Sequence, residues 1–63
     1  MPHIDVKMLE GRTVEQKRQF VAAVTMAAVN ILQTPAESLT VAIQEYPREN
    51  WGSAGVLYSD KKK

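Results

Sequence analysis

Pro2 follows Met1, and its nitrogen becomes a free secondary amine if that methionine is removed. A terminal α-amine ordinarily titrates near pKa ~7.7 to 8.0, and a dry pocket lowers that value further by disfavouring the cation. Such an amine takes up and returns a proton near neutral pH, which is the task of a general base. The same proline also suits the plain opening of an edge strand, where its missing N–H costs nothing. Arg12 is the second candidate. It falls in a loop at an element end, and its planar fork matches a carboxylate. As a merely structural residue it is poorly placed, because a positive charge near a helix start opposes the helix dipole. Trp51, the single tryptophan, lies in an Asn/Gly-flanked loop and suits either the wall of an apolar pocket or a core or interface position. Arg48 and Glu49 adjoin it, with a solvated loop as their simplest role. Glu10 and Glu45 close their strands, and no spacing rule pairs them for acid–base work.

Short elements must carry these residues. Ile4, Val6 and Met8 alternate with His3, Asp5 and Lys7, so the chain predicts a strand from His3 to Leu9 with one apolar face. Glu10-Gly11-Arg12 breaks the alternation, and Thr13 with Gln16 forms a capping box at a helix start. About twenty helical residues follow, with apolar positions at three- and four-residue steps from Val14 to Leu32. Ala22, Ala23, Ala27 and Ala28 allow close packing, and Met8 and Met26 read as gap-fillers in a core. Gln33-Thr34-Pro35 ends the helix, and Ala36 to Ser38 make the turn. A second strand is expected from about Leu39 to Tyr46, stopping at Pro47. Strand, long helix, strand implies a parallel crossover, and Gly52 and Gly55 then punctuate a short hairpin free to join a neighbouring subunit's sheet.

Size and charge narrow the classes. Sixty-three residues make a single domain spanning 1–63, with about 59–63 expected as a flexible basic tail. So short a chain buries only about 60% of its unfolded surface. Cysteine is absent and His3 is the only histidine, so disulfides and a histidine metal cage are not available to reinforce it. Oligomerisation is the remaining support, consistent with 44% hydrophobic residues. The formal charge is +1, of which Lys61, Lys62 and Lys63 supply +3, leaving −2 for the body. That balance argues against a nucleic-acid partner. No apolar run reaches the ~20 residues of a membrane span, so a cytoplasmic protein with no membrane partner is expected.

Pro2 opening a strand, Leu9-Glu10-Gly11-Arg12, Glu15-Gln16-Lys17, and a late aromatic before Gly52 together resemble the 4-oxalocrotonate tautomerase family, from residue 2 to about 58. The resemblance implies an α+β protomer of β-α-β type with a short C-terminal hairpin, assembling as a homo-oligomer, typically a hexamer built from three dimers. It implies a tautomerase that needs no cofactor and no metal, interconverting enol and ketone forms of a small 2-oxo or 2-hydroxy acid. Pro2 then looks like the general base, Arg12 like the arginine that grips a substrate carboxylate from another subunit, and Trp51 like the aromatic that keeps the pocket apolar. The family's second arginine, which polarises the 2-oxygen, falls at Thr40. A hydroxyl brings no charge to that task, with Arg48 as a substitute from the loop, so the family's usual dicarboxylate does not follow for this chain. Two alternatives accompany this reading: a lyase- or hydratase-like variant, and a noncatalytic small-ligand or assembly module on the same scaffold.

Overall fold

The computed structural model describes residues 1–61; Lys62 and Lys63, the end of the expected basic tail, lie outside the described residues. Strand β1 (His3–Leu9) pairs in parallel with β2 (Thr40–Tyr46), and helix α1 (Val14–Leu32) connects them. The register runs from His3 opposite Thr40 to Leu9 opposite Tyr46. One further bond, from the Glu10 N–H to the Tyr46 carbonyl at 2.9 Å, extends the ladder beyond β1. Ile4, Val6, Val41 and Ile43 are half-buried while His3, Asp5, Lys7, Thr40, Ala42 and Gln44 are exposed, so the sheet has one helix-covered face and one open face.

The helix begins where the capping box demands. The Gln16 N–H donates to Thr13 Oγ1 at 3.1 Å, and the Thr13 N–H donates to Gln16 Oε1 at 2.9 Å. Two donors that helix geometry leaves without partners are thereby satisfied. At the far end Gln33 adopts the left-handed conformation (φ 58°, ψ 49°), and its side-chain amide donates to the Asn30 carbonyl at 3.0 Å. Leu39 does not start β2, because its N–H is committed to the Ala36 carbonyl at 3.1 Å in a 3₁₀ turn over Ala36–Ser38. The second strand therefore opens at Thr40.

After β2 the chain makes a 3₁₀ turn at Arg48–Asn50, then a two-residue hairpin of β3 (Gly52–Ser53) with β4 (Val56–Leu57). Ala54 and Gly55 link them with φ of 55° and 79°, the double left-handed geometry whose twist matches a hairpin. Residues Tyr58–Asp60 form another 3₁₀ turn, closed by the Lys61 N–H on the Tyr58 carbonyl at 3.2 Å.

A single copy is far from self-sufficient. Among the described residues only Ala28 and Leu39 are buried apolar side chains, while Met26 is 61% and Ile31 78% exposed. Met26 is accordingly no core filler within one chain. The Cα radius of gyration is 15.0 Å, against about 11 Å for a compact domain of this length. No helix among the described residues is long and apolar enough to cross a membrane.

Thr13→Ala removes the half of the capping box in which Thr13 Oγ1 accepts the Gln16 N–H, and is expected to lower stability by about 1 kcal/mol. Urea denaturation at fixed protein concentration checks this, with an unchanged midpoint as the contrary result.

Candidate active site

The N-terminal end of the sheet holds Pro2. Its ring is half-buried, whereas Met1 is 98% exposed and lies outside β1, so losing Met1 disturbs no strand pairing. The Pro2 carbonyl accepts the Thr40 N–H at 3.3 Å, which sets Thr40 beside the proline. On the open face Thr40 Oγ1 lies 2.6 Å from His3 Nδ1, and His3 Nε2 lies 3.1 Å from Asp5 Oδ1. A carboxylate only accepts, so Nε2–H is the donor to Asp5. In a neutral ring Nδ1 is then an acceptor, and the Thr40 hydroxyl donates to it.

Arg12, Trp51 and Arg48 occupy the other end. Gly11, at φ +127°, turns the chain sharply off β1 in a conformation that side-chain-bearing residues rarely adopt. Arg12 emerges from that turn, exposed, and among the described residues it makes no ion pair. With Met8, Gln16, Lys17 and Phe20 it lines a shallow cavity of about 150 Å³. Lys17 is already engaged, donating from Nζ to Glu45 Oε1 at 2.6 Å with both side chains roughly three-quarters buried. That pair pins the start of α1 to the end of β2 and leaves Arg12 as the uncommitted cation of the cavity.

Trp51 is half-buried against Tyr46, the two ring centroids 5.7 Å apart and tilted by 53°. Its carbonyl accepts the Tyr58 N–H at 2.8 Å. Arg48 closes the same loop, donating from Nη2 to the Tyr58 carbonyl at 3.1 Å with its guanidinium carbon 5.7 Å from the centre of the Tyr58 ring. One of its five N–H donors is therefore engaged on the segment that carries Trp51, a contact that neither the solvated-loop role nor the substitute role expected from the sequence included. Tyr46, Tyr58 and His3 were not among the expected site residues. Their parts depend on strand register and on the path of the last loop, which no short motif encodes.

These two ends are well separated. Six strand steps between His3 and Leu9, at about 3.3 Å each, make ~20 Å. Pro2 and Thr40 stand together at one end, while Arg12, Arg48 and Trp51 stand at the other. The two groups do not meet within one copy.

The match to known proteins agrees with this fold. The family model described as tautomerase enzyme covers residues 2–61. A probable tautomerase from Ralstonia nicotianae is 48% identical over 98% of this chain and 89% of its own length. A 2-hydroxymuconate tautomerase from Comamonas testosteroni is 45% identical over 89% of each chain. Among solved structures, a 4-oxalocrotonate tautomerase homologue superposes with a TM-score of 0.93 at 40% identity, covering all of both chains. A heterohexameric 4-oxalocrotonate tautomerase from Chloroflexus aurantiacus does so with 0.93 at 31% identity, covering 98% of this chain and all of its own. A β-α-β half-sheet of this kind is the scaffold of the 4-oxalocrotonate tautomerase structures that it superposes on. The chain belongs to the tautomerase family and is a tautomerase enzyme.

Trp51 is the only tryptophan, so its emission reports the loop directly. Arg48→Ala is expected to free Tyr58 and shift that emission to longer wavelength as water reaches the indole, with Arg48→Lys intermediate. A spectrum identical to wild type would show that Arg48 does not hold the segment.

Proposed function

We propose that this chain is a cofactor-independent tautomerase converting the enol of a small 2-oxo acid to its conjugated ketone, with Pro2 as general base. The observation that carries the reading is Pro2 at the strand start, behind an exposed Met1 whose removal would free its amine, together with an uncommitted Arg12 at the opposite end. Since one copy keeps them about 20 Å apart, a working site takes Pro2 and Thr40 from one copy and Arg12 from another. The exposed apolar side chains of α1 supply the surface for such a homo-oligomer, and a hexamer of three dimers is the assembly we assign.

In the reaction the Pro2 nitrogen takes the enol O–H proton, and the freed electron pair forms the C=O bond. The double bond shifts along the chain, and the distal carbon takes a proton back from the proline ammonium. No redox change occurs and no atom is gained or lost. Arg12 holds the carboxylate through paired N–H donors, which fixes the reacting atoms near the amine. Trp51 lends an apolar wall, which favours the uncharged amine needed at the start. The Thr40 hydroxyl supplies a single hydrogen bond at the 2-oxygen. Arg48 acts by steadying Trp51. 2-Hydroxymuconate, for which the Comamonas relative is named, is the first substrate to try.

Pro2→Ala replaces the secondary amine and is expected to lower kcat by about 10² to 10⁴, the range of a lost general base. Followed by loss of the enol absorbance, wild-type-like turnover by this variant removes the base assignment. The unprotonated amine is the working form, so activity falls as pH drops through its titration.

A shared site has its own signature. Pro2→Ala and Arg12→Ala are each expected to be nearly inactive, yet unfolding them together and refolding the mixture restores about a quarter of the sites if copies combine at random. No recovery in a correctly reassembled mixture would place Pro2 and Arg12 in the same copy and end the shared-site reading.

A further inference from the structure

The open face of the sheet carries a hydrogen-bonded row that the proposed reaction leaves unused: Asp5, His3 and Thr40, joined at 3.1 Å and 2.6 Å. Resting on the assignment of Thr40 to the 2-oxygen, we infer that His3 is a positioning residue whose charge decides whether Thr40 donates or accepts a hydrogen bond at the substrate.

A hydroxyl has one proton. Asp5 takes the Nε2–H of His3, so a neutral imidazole offers only the Nδ1 lone pair to Thr40. The Thr40 proton is then spent on Nδ1, and Oγ1 presents only a lone pair to the solvent side, an acceptor fitted to an enol O–H. When the ring is protonated both nitrogens donate. Nδ1–H now occupies a lone pair of Oγ1, and the hydroxyl proton turns outward, fitted to a ketone or a developing enolate oxygen. The second state stabilises the charge that forms as Pro2 removes the enol proton. A positive imidazolium two bonds behind that donor also partly restores the charge that a threonine in place of an arginine lacks.

Few charged groups face the ring. On β1, Asp5 lies at 3.1 Å, while Lys7 stands two residues further along the same face. From β2, Thr40, Ala42 and Gln44 bring no charge. Helix α1 lies on the opposite face, where Lys17 meets Glu45, and the amine that removal of Met1 would free at Pro2 adjoins His3 along the chain. The His3 side chain is about half exposed, so solvent protons reach it.

Pro2 must be uncharged and His3 charged for the fastest ketonisation, so the two requirements bound the rate from opposite sides of pH. Wild-type kcat is expected to rise and then fall across pH ~5 to 8, the window in which imidazoles change charge. In His3→Phe the Thr40 proton has no imidazole partner at any pH, and the alkaline fall should vanish while the acid limb set by Pro2 remains. Thr40→Val should cost roughly tenfold in kcat near the optimum, the scale of one hydrogen bond to a charged group. It should also remove the alkaline fall, and adding His3→Phe to it should change nothing more. Circular dichroism and native mass of each variant establish that it is folded and assembled before it is scored. A His3→Phe profile that keeps the wild-type alkaline limb overturns the inference. So does a Thr40→Val enzyme as fast as wild type, which would remove Thr40 from the substrate. Either result leaves the base assignment standing, since that depends on Pro2→Ala alone.

Discussion

Parallel pairing of β1 with β2 is the constraint from which the other features follow. Parallel strands cannot be joined by a tight turn, so the connection needs a long crossover, and α1 supplies it. Pairing in register from His3–Thr40 to Leu9–Tyr46 sends both strands out at the same end. The loop after β1 and the loop after β2 therefore emerge together, bringing Arg12 and the Trp51 segment to one end of the sheet. The strand starts, with Pro2 and Thr40, are left at the other. A two-stranded antiparallel arrangement would have mixed these groups; the parallel one segregates them by about 20 Å.

Electrostatics then sorts the cations. Lys17 is committed to Glu45 and Arg48 to the Tyr58 carbonyl and ring. Arg12 sits one residue before the N-cap of α1, where the helix dipole opposes a positive charge, and it has no ion-pair partner among the described residues. An unfavourable site kept for a charged side chain is easier to understand if an anion arrives there during function. At the proline end the open face offers a hydroxyl and an imidazole where a guanidinium would have given a fixed charge. Under the proposed function, one end of the site thus offers a fixed charge and the other only a hydroxyl backed by an imidazole.

Much of this was legible in the residues. Alternation at His3–Leu9 and from Thr40 to Tyr46, the Thr13/Gln16 box, and the stop at Gln33-Thr34-Pro35 are local signals, and local hydrogen bonding settles them. Met26 was not legible, because an apolar helix position reads the same whether it meets its own sheet or another copy. Leu39 shows a similar limit: its alternation is strand-like, yet a single N–H spent on Ala36 keeps it out of β2. The functions of Arg48 and His3 depended on register and loop path. His3 meets Thr40 across 37 positions only because the strands are parallel and in this alignment. One residue of slip would put a half-buried apolar side chain opposite it instead.

Folding and chemistry are linked through the same unburied surface. With only Ala28 and Leu39 buried among the described apolar residues of one copy, most apolar stabilisation must come from contacts between copies, and on the proposed shared site those contacts would also unite Pro2 with Arg12. Association then stabilises the folded chain by mass action, so stability and activity share one concentration dependence. A more self-contained protomer would gain independence, but it would need further core residues to cover α1, and these would block the approach of the second copy. On the proposed shared site the sparse core is compatible with function, because the partner that completes the protein would also complete the site. Evolving such a chain toward a stable monomer would then remove activity before it removed the fold, since β1, α1 and β2 hold their register through bonds within one copy.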